Sequence, residues 1–353
     1  MGPAARTYSI RKESELVPHT KRFAGLDAIR FVCAYAVTSA HNPSSLAFAR
    51  ELGPTAEVIA KILRDSVNGP AAVIVFFIIS GFCIHLPYRA GQPIGIDYFV
   101  RRYLRIGIPL CAALLISPLV GIPAGDLVKS VLWSLYCELV YYSIYPLLRG
   151  AATRVGWLTL TALAFLLAFS WAIVWPSPWG SYTTANVFRD SVIGLPCWLM
   201  GCLLAEREPF RVPSTRGIWL WRGAVFIASV STLELHFHTR VRFAVSLNVF
   251  AILVFFWLSR ELGYGQKHLP WSWLERAGAW SYSLYVLHPA AGRLQSFLFP
   301  SWPLGVTWLL RIPLTLLTCY AFYRAVEKPS HRLARAAANA LRSSDVAGVP
   351  PLA

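Results

Sequence analysis

Ten apolar runs in succession leave this chain little choice of fold. They cover roughly 23–41, 71–87, 106–122, 131–148, 157–175, 191–205, 218–233, 242–258, 278–299 and 303–326 of its 353 residues. A run of about 20 apolar residues crosses the hydrocarbon layer as a helix, since lipid offers backbone N–H and C=O groups no partner outside the segment. Several of these runs are shorter and are expected to be tilted or interrupted. Charged residues make up 14% of the chain, against about 25% in soluble domains, so no polar segment is long enough for a separate soluble domain. The expected fold is all-α: one polytopic transmembrane helical bundle of about ten spans.

The formal net charge of +16 invites a nucleic-acid reading, which the distribution of the charge excludes. The basic residues stand in short clusters between apolar runs and not along one polar face. With ten spans, alternate loops fall on opposite sides. One set, including both tails, then carries 23 Lys and Arg against eight in the other. The richer side is cytoplasmic, so both termini are expected there. The remaining two, Arg30 and Arg311, fall inside apolar runs. The N-terminal tail, with Arg11, Lys12, Glu13 and Glu15 ahead of any apolar run, does not read as a cleaved signal peptide. Seven cysteines (33, 83, 111, 137, 197, 202, 319) lie in or beside apolar runs with no CxxC or Cys/His spacing. Free thiols acting as small hydrophobes are expected, with no disulfide framework and no metal site.

Function is sought among the polar residues that interrupt the apolar background. The first run, FAGLDAIRFVCAYAVTSAH, holds Asp27, Arg30 and His41. At 100° per residue, Arg30 and His41 come within about 20° of each other and Asp27 within about 40° of His41. The three share one face, with Arg30 and His41 roughly 16 Å apart along the axis. Ionisable groups inside a bilayer cost about 2.5–3.5 kcal/mol each at the helix centre, which makes them functional candidates, with a plain buried ion pair as the other reading. The second run carries a Ser80-Gly81 pair that would let another helix approach closely. Ahead of the third run stand Arg101, Arg102 and Arg105. Arg102 and Arg105 face the same way on a helix and repel unless an anion lies between them; ordinary flanking charge is the alternative. Glu138 sits in the fourth run with Ser134 one turn before and Tyr141, Tyr142 and Tyr145 after it. In the ninth run Ser281, Tyr285 and His288 form a polar stripe, followed by Pro289, which is expected to kink the helix. Glu327 and Pro329 are expected to end the last span.

Taken in order, RFAGLDAIRFVCAYAVTSAH, FFIISGFCI, FVRRYLRIGIP, LWSLYCELVYYSIYP, SYSLYVLHP and the closing E-x-P resemble the acyltransferase-3 family of membrane O-acyltransferases. The resemblance spans residues 22 to 329, nearly the whole chain. Members typically place acetyl or other acyl groups on sugars of surface polysaccharides, lipopolysaccharide, peptidoglycan, Nod factors or macrolides. The family's Arg followed ten residues later by His falls on Arg30 and His41, its RxxR on Arg102 and Arg105, and its WSLxxE on Trp133, Ser134, Leu135 and Glu138. Two features depart from the pattern. Ala28 replaces the usual Gly after the first-run Asp, and the stretch before Trp133 is short, which puts the usual mode of acceptor recognition in doubt.

The resemblance implies transfer of an acyl group, acetyl foremost, from cytoplasmic acyl-CoA to a hydroxyl of a carbohydrate or glycosylated acceptor. His41 is the expected general base, an imidazole with an ordinary pKa near ~6.5 being suited to that role, with an acyl-His41 intermediate as the alternative to direct transfer. Arg30 would hold a donor carbonyl or phosphate, Asp27 would orient Arg30, and Glu138 completes the catalytic set. Arg102 and Arg105, with Arg101, would bind CoA phosphates, and Trp133, Ser134, Tyr285 and His288 would line the acceptor side. The expected domain order is a cytoplasmic tail over 1–22, a transmembrane acyltransferase domain over 23–329 and a cytoplasmic tail over 330–353. Lipid is the expected surround, in a bacterial inner membrane. A proton-coupled transporter or flippase, with Asp27, His41, Glu138 and His288 as relay, is the rival reading; it gives the Arg102–Arg105 pair no specific work.

Overall fold

The computed structural model describes residues 23–41, 44–175 and 186–347, and among these the chain is helical with no strand. In chain order the α-helices of seven or more residues are α1 (Leu26–Ala40), α2 (Ser44–Leu52), α3 (Pro54–Asp65), α4 (Gly69–His85), α5 (Ile96–Ile116), α6 (Trp133–Val155), α7 (Trp157–Val174), α8 (Val187–Glu206), α9 (Thr215–His238), α10 (Phe243–Tyr264), α11 (Ser272–Gly278), α12 (Ser281–Leu298), α13 (Leu304–Phe322) and α14 (Lys328–Ala347). Each of the ten apolar runs holds one of them: α1, α4 to α10, α12 and α13.

Among the described residues, eight helices are long and apolar enough to cross a membrane. The two runs that fall short of this are α1 and α12. Helix α1 has 15 residues, about 22 Å at 1.5 Å per residue, against a hydrocarbon layer of about 30 Å. Helix α12 has 18 residues, but Ser281, Ser283, Tyr285, His288, Arg293 and Gln295 are among them. The two pack against each other, each burying one face in the bundle.

The centre of the bundle is α4 packed on α8. A Cβ on Gly81 would lie 2.0 Å from the Trp198 carbonyl oxygen, and one on Gly201 would lie 2.0 Å from that of Ile78. The two backbones therefore touch, the close approach expected from Ser80-Gly81. Helix α4 begins where it does because Asn68 accepts from the Ala71 N–H at 3.0 Å while donating to Ser229 O and Thr232 Oγ1, both at 2.8 Å. That side chain caps α4 and ties it to α9. The periphery carries exposed Leu163 and Leu166 on α7, Phe226 and Ile227 on α9 and Leu317 on α13, a surface suited to acyl chains.

Three local features add to the sequence reading. Residues 44–65, counted above as a loop, form α2 and α3; on α3 Val58, Ile59, Ile62 and Leu63 are all exposed on one face, as in a helix lying at a membrane interface. Helix α12 continues through Pro289 to Leu298. The helix does not stop at Glu327 and Pro329: a π turn, Tyr323–Glu327, joins α13 to α14. Pro329 follows this π turn in α14, where it removes one backbone donor from an otherwise continuous helix. Helix α14 packs along α5, held by Arg342, whose Nε donates to Asp97 Oδ2 at 2.7 Å and whose Nη2 lies 2.7 Å from the same oxygen.

Candidate active site

Helix α1 is started and fixed by residues from far along the chain. Gly25 precedes it at φ +96°, a backbone conformation that glycine adopts freely. Glu275 of α11 accepts from the N–H groups of Gly25 (3.2 Å) and Ala28 (3.1 Å), two of the donors that a helix start leaves free. Gly278 sits so close that a Cβ there would lie 2.1 Å from the Asp27 carbonyl oxygen. The start of α12 is served the same way. Glu327 accepts from the Ser283 N–H at 3.0 Å and from the Ser283 hydroxyl. One carboxylate from a distant segment thus holds each of the two short, polar helices.

Two cavities lie along α1. The proximal one, at its Asp27 end, has a volume of about 340 Å³ and is lined by Asp27, Arg30, Cys83, Arg102, Arg105, Ser134, Glu138, Tyr285 and Glu327 among others. Arg30 Nη1 donates to Asp27 Oδ1 at 2.8 Å and Nη2 to Cys83 Sγ at 3.0 Å. Cys83 is accordingly a polar partner and not simply the small hydrophobe expected. Glu138 faces the hydroxyls of Ser80 and Tyr142, which bond each other at 2.9 Å. Arg105 Nε donates to His331 Nε2 at 3.1 Å. Arg102 lines the cavity and makes no hydrogen bond or ion pair among the described residues, so its guanidinium donors have no protein acceptor.

The distal cavity, about 380 Å³, is lined by Thr38, His41, Ser130, Val131, His288, Gly292, Arg293, Ser296 and Arg311 among others. The rings of His41 and His288 lie 5.2 Å apart between centroids. His41 Nδ1 is 2.8 Å from Val37 O, and His288 Nδ1 is 2.9 Å from Tyr285 O and 3.2 Å from Leu284 O. Carbonyl oxygens only accept, so each Nδ1 carries the proton, and in the neutral rings each Nε2 keeps its lone pair. His288 Nε2 is buried with no partner.

Tyr285 stands between the cavities. Its hydroxyl donates to Val131 O at 2.9 Å and so accepts from Ser134 Oγ at 2.7 Å. Ser134 faces the proximal side and Val131 the distal side.

The predicted residues thus divide. Asp27, Arg30, Arg102, Arg105, Ser134, Glu138 and Tyr285 meet in the proximal cavity, and His41 and His288 in the distal one. Two predicted residues line neither. Arg101 turns to Asp97, at 3.8 Å, and Trp133 packs edge-on against Phe77 with ring centroids 6.1 Å apart. Cys83, Glu275, Gly278 and Glu327 belong to the site and were not singled out for it from the sequence. Glu275 and Gly278 carry no local signal, since their partners lie about 250 residues away.

A helical membrane bundle with buried charges and two histidines gathered along one short helix defines an integral membrane protein with polar internal cavities. Its residues 23–324 match the sequence profile of the acyltransferase-3 family, described as an acyltransferase domain, and the chain belongs to that family and is an acyltransferase. This decides against the transporter reading. No curated protein and no solved structure matches the chain.

Proposed function

We propose that the protein transfers an acyl group, acetyl foremost, from acyl-CoA bound in the proximal cavity to a hydroxyl of a carbohydrate or glycosylated acceptor in the distal cavity, with His41 as general base. The observation that carries this is the fixed tautomer of His41: Nδ1–H is committed to Val37 O, so Nε2 is free to take a proton. Arg102 and Arg105 are placed for the CoA phosphates, Arg102 with all its donors available. The pantetheine arm would then run past Arg30 and Glu138 towards Ser134 and Tyr285. As the acceptor oxygen attacks the thioester carbonyl, its proton passes to His41 Nε2; the C–S bond breaks, and the CoA thiolate takes that proton as the ring returns to neutral. His288 Nε2, a second free lone pair 5.2 Å away between ring centroids, suits a hydrogen bond from another acceptor hydroxyl.

The basic loops favour a cytoplasmic face for the proximal cavity, in a bacterial inner membrane, with residues 1–22 and 330–353 flanking a catalytic domain over 23–329. The test is release of free CoA by the purified protein, offered acetyl-, succinyl- and longer acyl-CoAs with a panel of sugar acceptors. His41→Ala is expected to lower turnover about 10²–10⁴-fold while acyl-CoA still binds. A wild-type protein that is folded yet neither binds nor cleaves any acyl-CoA would overturn the assignment.

A further inference from the structure

Arg311 lies within an apolar run, eight residues into α13 and about two turns from the start of that helix. Its guanidinium packs against Gly292 of α12: a Cβ there would stand 3.1 Å from Nη2 and 3.7 Å from Cζ and Nε. The absent side chain is what makes room for it. Gly292 is one turn beyond His288 on the same face of α12, so the guanidinium reaches the distal cavity beside the unpartnered His288 Nε2. Arg293 lines the same space. Neither guanidinium has a hydrogen-bond acceptor or counter-ion among the described residues, and no carboxylate lines the cavity.

A half-buried guanidinium with no counter-ion, held inside a lipid-embedded bundle, is suited to an anion that arrives with a ligand. The neighbouring histidine asks for something different, because its free Nε2 accepts and wants a hydroxyl. We propose that Arg311, seconded by Arg293, binds a phosphate or carboxylate on the acceptor, so that this enzyme acylates an acidic sugar in preference to a neutral one. The inference rests on reading the distal cavity as the acceptor side, and it names the chemical class of that acceptor.

The test uses the full chain in nanodiscs of zwitterionic phosphatidylcholine. Calorimetric titration compares glucose 1-phosphate, glucuronate and glucose, and acetyl-CoA is titrated into the same preparations. Wild type is expected to bind the two acidic sugars at least about tenfold more tightly than glucose, the range of a charge-assisted hydrogen bond. Arg311→Gln should erase that preference, Arg311→Lys should keep part of it, and Gly292→Ala should weaken it by displacing the guanidinium. Acetyl-CoA binding by each variant certifies its fold; if Arg311→Gln fails that check, the Lys and Gly292 variants decide. Equal affinity for glucose and the acidic sugars, or a preference that survives Arg311→Gln, overturns the proposal. So does competition by phosphatidylglycerol that disappears in Arg311→Gln, because the anion held there would then be a lipid headgroup. Failure of wild type to bind acetyl-CoA counts against the donor assignment alone, and the sugar comparison still judges Arg311.

Discussion

Arg30 and Arg102 share a cavity but are held in opposite ways. Arg30 is pinned on two sides, by Asp27 at 2.8 Å and Cys83 at 3.0 Å, so its direction is set before any ligand arrives. Arg102 has no such anchor. The first arrangement suits a group that must meet a reacting carbonyl in one geometry; the second suits capture of a mobile phosphate. Arg102→Ala is therefore expected to raise the Kd for acetyl-CoA by about tenfold or more, since a charge-assisted hydrogen bond contributes roughly 1.5–3 kcal/mol. The loss should shrink as salt is raised, because ions screen an exposed contact. Titration of wild type and variant at low and high ionic strength checks both points, and an unchanged Kd would remove Arg102 from the donor site. Arg101 is a control within the same cluster: it turns to Asp97, and its contribution should be to the α5–α14 contact.

The elements that carry the site are its two least membrane-like helices, and each depends on a carboxylate from elsewhere. Glu275 satisfies the start of α1 and Glu327 that of α12. Removing a cap of this kind costs about 0.5–2 kcal/mol. Glu275→Ala and Glu327→Ala are thus expected to lower the thermal unfolding midpoint in detergent, where an exposed peripheral change such as Leu166→Ala should not. A midpoint equal to wild type would show that water or lipid caps these helices as well as the carboxylates do. The same pair marks the limit of what the sequence discloses. The common face of Asp27, Arg30 and His41 follows from helical periodicity, and the ten runs predict the ten helices, because both signals are local. Glu327 reads locally as a helix end, and Glu275 reads as nothing at all, because their partners are set by tertiary packing. Periodicity also gives a direction but no neighbours: it places Arg102 and Arg101 side by side and does not tell which one faces the cavity. Helices α2 and α3 escape a search for apolar runs because their apolar residues face one way and their charges another.

At the scale of the whole molecule two cavities lie along α1 on either side of Tyr285. The groups proposed to bind the donor lie on one side of Tyr285, the histidines on the other, and the hydroxyl of Tyr285 ties Ser134 to Val131 between them. For a thioester to reach His41 this pair has to part, and while it is closed water from the distal side is kept from the donor. Tyr285→Phe keeps the ring and removes both hydrogen bonds. At a net ~1 kcal/mol each, their loss favours the parted state by up to about 2 kcal/mol, or some tens-fold in population at 1.4 kcal/mol per factor of ten. The expected outcome is faster cleavage of acetyl-CoA without any acceptor, and a severalfold fall in the ratio of acyl transfer to hydrolysis when acceptor is present. Ser134→Ala, which removes one of the two bonds, should fall between wild type and Tyr285→Phe. Free CoA and acylated product, measured in the same reaction, give the ratio directly. If it is the same in all three proteins, the barrier between the cavities lies in the packing of the ring and not in the hydrogen bonds of its hydroxyl.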